Sequence, residues 1–109
     1  MGESLASEYY HSRGFDIVET NWRYSYYEID LITVKDGVLR FVEVKTRRTE
    51  TYGLPEESVS GLKLHRLMKA ASRYMGLHPQ WKRVQYDVLS ITLTPGKEPV
   101  YFLIEDVYE

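Results

Sequence analysis

The sequence predicts an α/β domain, a mixed β-sheet flanked by helices in the order α-β-β-β-α-β-β, with residues 1–109 forming one unit. Three observations carry that expectation. Two stretches, 3–13 and 58–75, repeat apolar residues at helical spacing, and each is followed by a glycine. Between them, Lys35-Asp36-Gly37 separates two strongly apolar runs, and Asp-Gly in such a position is the strongest short-range hairpin signal. After the second helix, two further apolar runs flank a Thr94-Pro95-Gly96-Lys97 turn.

Taken in order, the first helix runs from Glu3 to about Arg13, with Leu5, Ala6, Tyr9 and Tyr10 on one face and Gly14 as its stop. Phe15 to about Tyr24 is the first strand, centred on Ile17 and Val18. Ile29–Val34 and Val38–Lys45 are the arms of the hairpin. Thr49–Glu57 is polar and contains Gly53 and Pro55, so a loop is expected there. The second helix spans about Ser58–Met75 and ends before Gly76 and Pro79. Arg83–Leu93 and Val100–Ile104 complete the sheet.

Composition narrows the function. The 109 residues are 43% hydrophobic and 28% charged, a globular balance with no repeat and no low-complexity tract. There is no cysteine, which removes disulfide frameworks, thiolate zinc sites and thiol nucleophiles. His11, His65 and His78 lack metal-ligand spacing, and neither a phosphate-cradling glycine motif nor a G-x-S-x-G turn occurs. No apolar run reaches the roughly 20 residues that cross a bilayer, and the start resembles neither a secretory leader nor a myristoylation signal. A cytoplasmic protein without membrane contact is expected. Net charge is −2, yet Lys35–Arg83 carries eleven Lys/Arg against five Asp/Glu. A basic segment in an acidic chain points to a polyanion as partner, or to two surface halves that attract each other.

The hairpin is where the sequence becomes chemically specific. With Asp36-Gly37 as a two-residue type I′ turn, Lys35 faces Val38, Asp30 faces Glu43 and Glu28 faces Lys45. Side-chain alternation then puts all four charged groups on one face with Ile32, Val34, Leu39 and Phe41, and Ile29, Leu31, Val42 and Val44 on the other. Directly opposed Cβ atoms lie about 5 Å apart, so two carboxylates there repel. A divalent cation relieves that repulsion, and Mg²⁺ is suited to one or two carboxylates plus waters and phosphate oxygens. Lys45, about 7 Å along the strand from Glu43, would orient an attacking water and offset charge on a phosphodiester under attack. The competing interpretation is a buried ion-pair cluster, which adds little to stability.

Asp30, twelve intervening residues, then Glu43-Val44-Lys45 resembles the PD-(D/E)XK nuclease motif. More closely, the chain resembles the YraN-like family of small bacterial proteins, distant relatives of archaeal Holliday junction resolvases. The matching pieces run nearly end to end: Gly2-Glu3, Gly14, Asn21 with Arg23, Glu28-Ile29-Asp30-Leu31-Ile32, Phe41 to Lys45 with Arg47, Tyr52-Gly53, Lys63 with Arg66-Leu67, and Tyr86-Asp87-Val88. The resemblance implies a restriction-endonuclease-like fold and metal-dependent hydrolysis of phosphodiester bonds. It implies Asp30 and Glu43 as ligands of Mg²⁺ or Mn²⁺, Lys45 as the catalytic lysine, and Glu3 as an acid directed toward the site, with Glu28 beside it. The chain departs from the pattern in two respects. Tyr27 stands where a glycine is usual, and Lys63 with Leu67 replaces the Gln-x-x-x-Tyr of the exonuclease branch.

Lys63, Arg66, Lys69 and Arg73 form a basic stripe on the second helix, opposite its apolar face and apart from the carboxylates. With Arg47 and Arg48 after the catalytic strand, the stripe would track a phosphate backbone. Tyr24, Tyr26 and Tyr27 either stack on bases or pack as strand and turn residues. The expected activity is an Mg²⁺-dependent nuclease, an endonuclease on branched DNA being the narrower form, for which two active sites require a homodimer. Two rivals stand beside it: a non-catalytic nucleic-acid-binding module, and a subunit that is active only with a partner.

Overall fold

In a computed structural model, residues 2–48 and 61–107 are described, with 61–63 described by backbone alone. The expected order is the observed one. Helix α1 (Gly2–Ser12) leads into strands β1 (Asp16–Tyr24), β2 (Tyr27–Lys35) and β3 (Val38–Arg48); helix α2 (Gly61–Leu77) is followed by β4 (Arg83–Leu93) and β5 (Val100–Ile104). The five strands form one sheet in sequence order. All neighbours are antiparallel except β3 and β4, which are parallel because α2 carries the chain back across the sheet between them. The loop expected at Thr49–Glu57 and the first residues of the second helix lie outside the described residues.

Local chemistry explains the boundaries. At the end of α1, Gly14 adopts φ 89°, its amide donates to His11 O, and the Phe15 amide donates to Tyr10 O. This is a Schellman cap, closed by the edge-to-face contact of Tyr10 and Phe15 at 5.0 Å between ring centroids. Asp36 and Gly37 both have positive φ, 54° and 79°, as a type I′ turn requires. The register that follows is the expected one, with Lys35 opposite Val38 and Leu31 opposite Val42. Strand β3 runs three residues beyond its expected end at Lys45. Parallel pairing with β4 continues to Arg48 opposite Leu93, so a neighbouring strand extends the polar Thr46-Arg47-Arg48.

The sheet separates two apolar layers. On one face Ile32, Leu39 and Phe41 pack against Leu64, Leu67, Ala70, Ala71 and Tyr74 of α2. On the other, Leu31, Val42, Leu89 and Ile91 pack against Ala6 and Tyr10 of α1 and against Phe15. Each helix thus covers one side, and the hairpin is buried on both.

Three tyrosines in these layers resist ionisation. Burial, then the charge of Asp87, raises the Tyr10 phenol above its ordinary 10.0; burial, then Glu19, raises Tyr74; burial raises Tyr86. The unfolded chain releases these protons near pH 10 while the folded chain retains them. Their stabilisation is therefore complete below about pH 10 and is lost as pH rises further. Urea unfolding followed between about pH 8 and pH 11 should show a level midpoint and then a fall; a level midpoint throughout would remove this account.

Candidate active site

The carboxylates of the hairpin meet at a break in the sheet. The β2–β3 ladder runs from Lys35–Val38 to Leu31–Val42 and ends there. Beyond it the Asp30 side chain takes over, its Oδ2 accepting from the Val44 amide at 2.9 Å. An interior backbone N–H needs an acceptor, and here a carboxylate provides one instead of a strand carbonyl. This bond holds Asp30 against the segment that carries Glu43.

The same place turns the β1–β2 ribbon over. Thr20 pairs with Leu31 and Trp22 with Ile29, but the residue between, Asn21, has φ 51°. A left-handed residue inside a strand interrupts the alternation of faces, and asparagine tolerates that conformation better than most. Leu31 consequently packs on the α1 side, whereas Ile29 and Trp22 pack on the α2 side. This corrects the expectation that Ile29 shares a face with Leu31. The signal was a polar Asn in mid-strand, which strict two-residue periodicity passes over.

Asp30 and Glu43 line one cavity of about 490 Å³, together with Tyr26, Tyr27, Glu28 and, from α2, Arg66, Leu67 and Lys69. Regular pairing of β3 with β4 keeps Leu39, Phe41, Glu43 and Lys45 on the α2 side, so half-buried Lys45 follows Glu43 on the cavity's face. Tyr27 is half-buried against the α2-side core and forms part of the cavity wall.

Several candidates are placed differently from expectation. Glu28 lies opposite Arg23 on β1 and pairs with its guanidinium at 3.2 Å, because β2 has left β3 by that point; it borders the cavity without facing Lys45 across a ladder. Glu3 lies in the first turn of α1, the helix whose Ala6 and Tyr10 cover the other face of the sheet. There a Cβ on its neighbour Gly2 would come within 2.6 Å of Thr46 Oγ1, and Glu3 is not among the described residues of the cavity wall. Alternation along β3 splits the two arginines: Arg47 shares the face of Lys45, and Arg48 shares that of Thr46. The basic stripe of α2 is not set apart from the acids. Arg66 and Lys69 border the carboxylate cavity, and Arg73 lies over the Tyr24 ring at 5.4 Å. The Lys63 side chain lies outside the described residues.

A second polar cluster escaped the sequence reading. Asp87 is fully buried on β4 and accepts from Tyr10 Oη at 3.0 Å, Arg40 Nη1 at 2.9 Å, Gln85 Nε2 at 3.0 Å and the Asp106 amide at 3.1 Å. Burial opposes the Arg40 charge, yet hydrogen bonds and attraction from Asp87 and Glu105 outweigh it and hold the guanidinium pKa above its ordinary value. This cluster faces α1, with the sheet between it and the cavity, and its geometry is that of a satisfied structural network.

No helix among the described residues is long and apolar enough to cross a membrane. Among known proteins, the chain is 40% identical over 104 residues to a UPF0102 protein of Syntrophomonas wolfei, covering 94% of this chain and 90% of that one. It is 42% identical over 99 residues to one of Dictyoglomus turgidum, covering 90% and 84%. For one of Rhodococcus jostii the identity is 40% over 110 residues, covering 98% and 92%. The model of the uncharacterised protein family UPF0102 matches residues 2–91, a span that holds both helices, the hairpin and every residue of the cavity wall. The chain therefore belongs to the uncharacterised protein family UPF0102, the YraN family that its sequence resembles.

Proposed function

We propose that this protein is a metal-dependent nuclease that hydrolyses phosphodiester bonds at the Asp30–Glu43 cavity. The observation that carries the reading is the junction of two carboxylates with two cationic side chains of α2, Arg66 and Lys69, in one open cavity. Acids alone would repel a phosphate and cations alone would only bind one; a hydrolytic site needs both.

The donor set fits a hard divalent cation. Asp30 and Glu43 supply the one or two carboxylates that Mg²⁺ or Mn²⁺ takes alongside waters and phosphate oxygens. A carboxylate has about four acceptor positions, so the bond from the Val44 amide orients Asp30 without exhausting it. Such a cation, when bound, contributes Lewis-acid polarisation of a phosphoryl oxygen. The protein's own groups do the rest. Arg66 and Lys69 attract the backbone and position it by charge. Lys45, on the same face, offsets the negative charge that grows on the phosphoryl oxygens as the nucleophile arrives. Arg23 neutralises Glu28 at the rim, which limits repulsion of the incoming phosphate.

The reading is tested by incubating the protein with branched, flapped, single-stranded and duplex substrates in Mg²⁺, Mn²⁺ or EDTA. Cleavage should require metal and should be lost in Asp30→Asn. Absence of cleavage, together with no uptake of Mn²⁺, would instead identify a binding module that retains the fold. Binding is checked separately. Arg66→Ala with Lys69→Ala should weaken affinity for nucleic acid and flatten its salt dependence by about one slope unit per lost phosphate contact. An unchanged salt slope would place the polyanion elsewhere, most directly at Arg47.

A further inference from the structure

The turn between β1 and β2 presents an aromatic ring to solvent beside the carboxylates. Tyr24 pairs with Tyr27, so Ser25-Tyr26 is a two-residue turn. Only Ser25 of the two has positive φ, 57°, the pattern of a type II′ turn. Tyr26 at its tip is 99% exposed. Its neighbours behave otherwise. Tyr24 stacks near-parallel on Trp22, at 11° and 6.1 Å between centroids, and Tyr27 packs into the α2-side core. Packing thus accounts for Tyr24 and Tyr27 and leaves Tyr26 without a structural role. An aromatic at a turn tip contributes nothing to the core, and at this position it borders the cavity of Asp30 and Glu43.

The charge around it is that of a nucleic-acid groove. A second depression of about 350 Å³ is lined by Tyr27, Lys69, Ser72, Arg73 and Gly76. It shares Tyr27 and Lys69 with the carboxylate cavity, so the two depressions adjoin along α2. Arg66, Lys69 and Arg73 follow one another along their helical side, and the tyrosine turn forms the opposite wall at the carboxylate end. A strand with its phosphates on the cations of α2 would carry its bases past the other residues of the same cavity lining, Tyr26 among them. A base locked in a duplex has both faces occupied by its neighbours and offers none to the ring.

We propose that Tyr26 is a stacking platform for an unpaired nucleobase next to the phosphate that Arg66 and Lys69 position at the Asp30–Glu43 cavity. The substrate class is then nucleic acid that is single-stranded, or locally unpaired, at the bound nucleotide. The proposal rests on the nuclease reading for the identity of the cavity, but it is tested by binding alone. Base–aromatic stacking corresponds to about a 5- to 100-fold change in affinity when the ring is removed, and it tolerates any sequence.

The experiment measures fluorescence anisotropy of labelled single-stranded and fully paired oligonucleotides with wild type, Tyr26→Ala, Tyr26→Phe and Tyr26→Trp, in Ca²⁺ to suppress turnover. Because Tyr26 is exposed, all variants should keep the wild-type melting temperature. Tyr26→Ala should lose about 5- to 100-fold affinity for the single strand, with Phe and Trp restoring it. Duplex affinity and salt slope should stay unchanged, since no charge is removed. A wild-type affinity of Tyr26→Ala for the single strand overturns the proposal, and so does an equal loss for single strand and duplex. Absence of single-strand binding by the wild type overturns it as well. The nuclease reading fails by a different result, a wild type that leaves every substrate intact with Mg²⁺ and Mn²⁺, so the two failures are distinguishable.

Discussion

Lys45→Ala is expected to reduce metal-dependent cleavage by roughly 100- to 1,000-fold or more while leaving nucleic-acid affinity close to wild type. The position explains both halves. Lys45 lies two residues beyond Glu43 on a strand whose pairing with β4 is unbroken, so both side chains share the α2 face. Its spacing from Glu43, about 7 Å along the strand, is suited to a group that meets the phosphoryl oxygens rather than the distant backbone. Being half-buried, it offers little to long-range attraction, which falls to the exposed Arg66 and Lys69. Single-turnover cleavage at saturating protein, paired with an affinity measurement, separates the two effects. Wild-type cleavage by Lys45→Ala would reduce Lys45 to a counter-ion of the acids and remove the chief catalytic group of the proposed mechanism.

Asp87→Ala should be the most destabilising single change on the sheet, costing about 3–5 kcal/mol. The loss comes from what stays behind. Tyr10 Oη, Gln85 Nε2 and the Asp106 amide would each lose an acceptor, and the guanidinium of Arg40 would keep only the exposed Glu105 as a partner. For a domain of this size each kcal/mol moves the melting temperature by roughly 4–8 °C, so a fall of at least about 12 °C is expected. Asp87→Asn, which keeps an oxygen and the shape, should cost less. Replacing the pair together, Asp87→Leu with Arg40→Met, should cost less than the sum of the single changes, because neither partner is left unpaired. Thermal unfolding by circular dichroism reads each of these variants. A fall smaller than about 5 °C for Asp87→Ala would show that water reaches the network. Cleavage is the control: with the cluster on the α1 side of the sheet, surviving folded protein should still act on substrate.

The sequence by itself determined the element order and the register of the hairpin. Both are local. Helical spacing and a Schellman glycine delimit α1, and Asp36-Gly37 can fill a I′ turn with little strain, which fixes how β2 meets β3. Once the register is fixed, Asp30 and Glu43 must converge, because twelve residues folded over a two-residue turn bring their ends together. The tertiary structure decided what depends on distant partners. Strand β4 drew three polar residues into β3 and sent Arg47 and Arg48 to opposite faces. Asn21 turned the ribbon over, moving Ile29 to the α2 side, and the divergence of β2 from β3 gave Glu28 to Arg23. The stripe of α2 appeared remote from the acids on a helical wheel, but packing Leu64, Leu67 and Tyr74 onto the sheet brings Arg66 and Lys69 to the cavity's rim. Tyr10, Arg40 and Asp87 meet only across the closed sheet, so no spacing in the chain announces them. Turn geometry and periodicity are written in contiguous residues, whereas burial and charge pairing exist only after remote segments have excluded water between them.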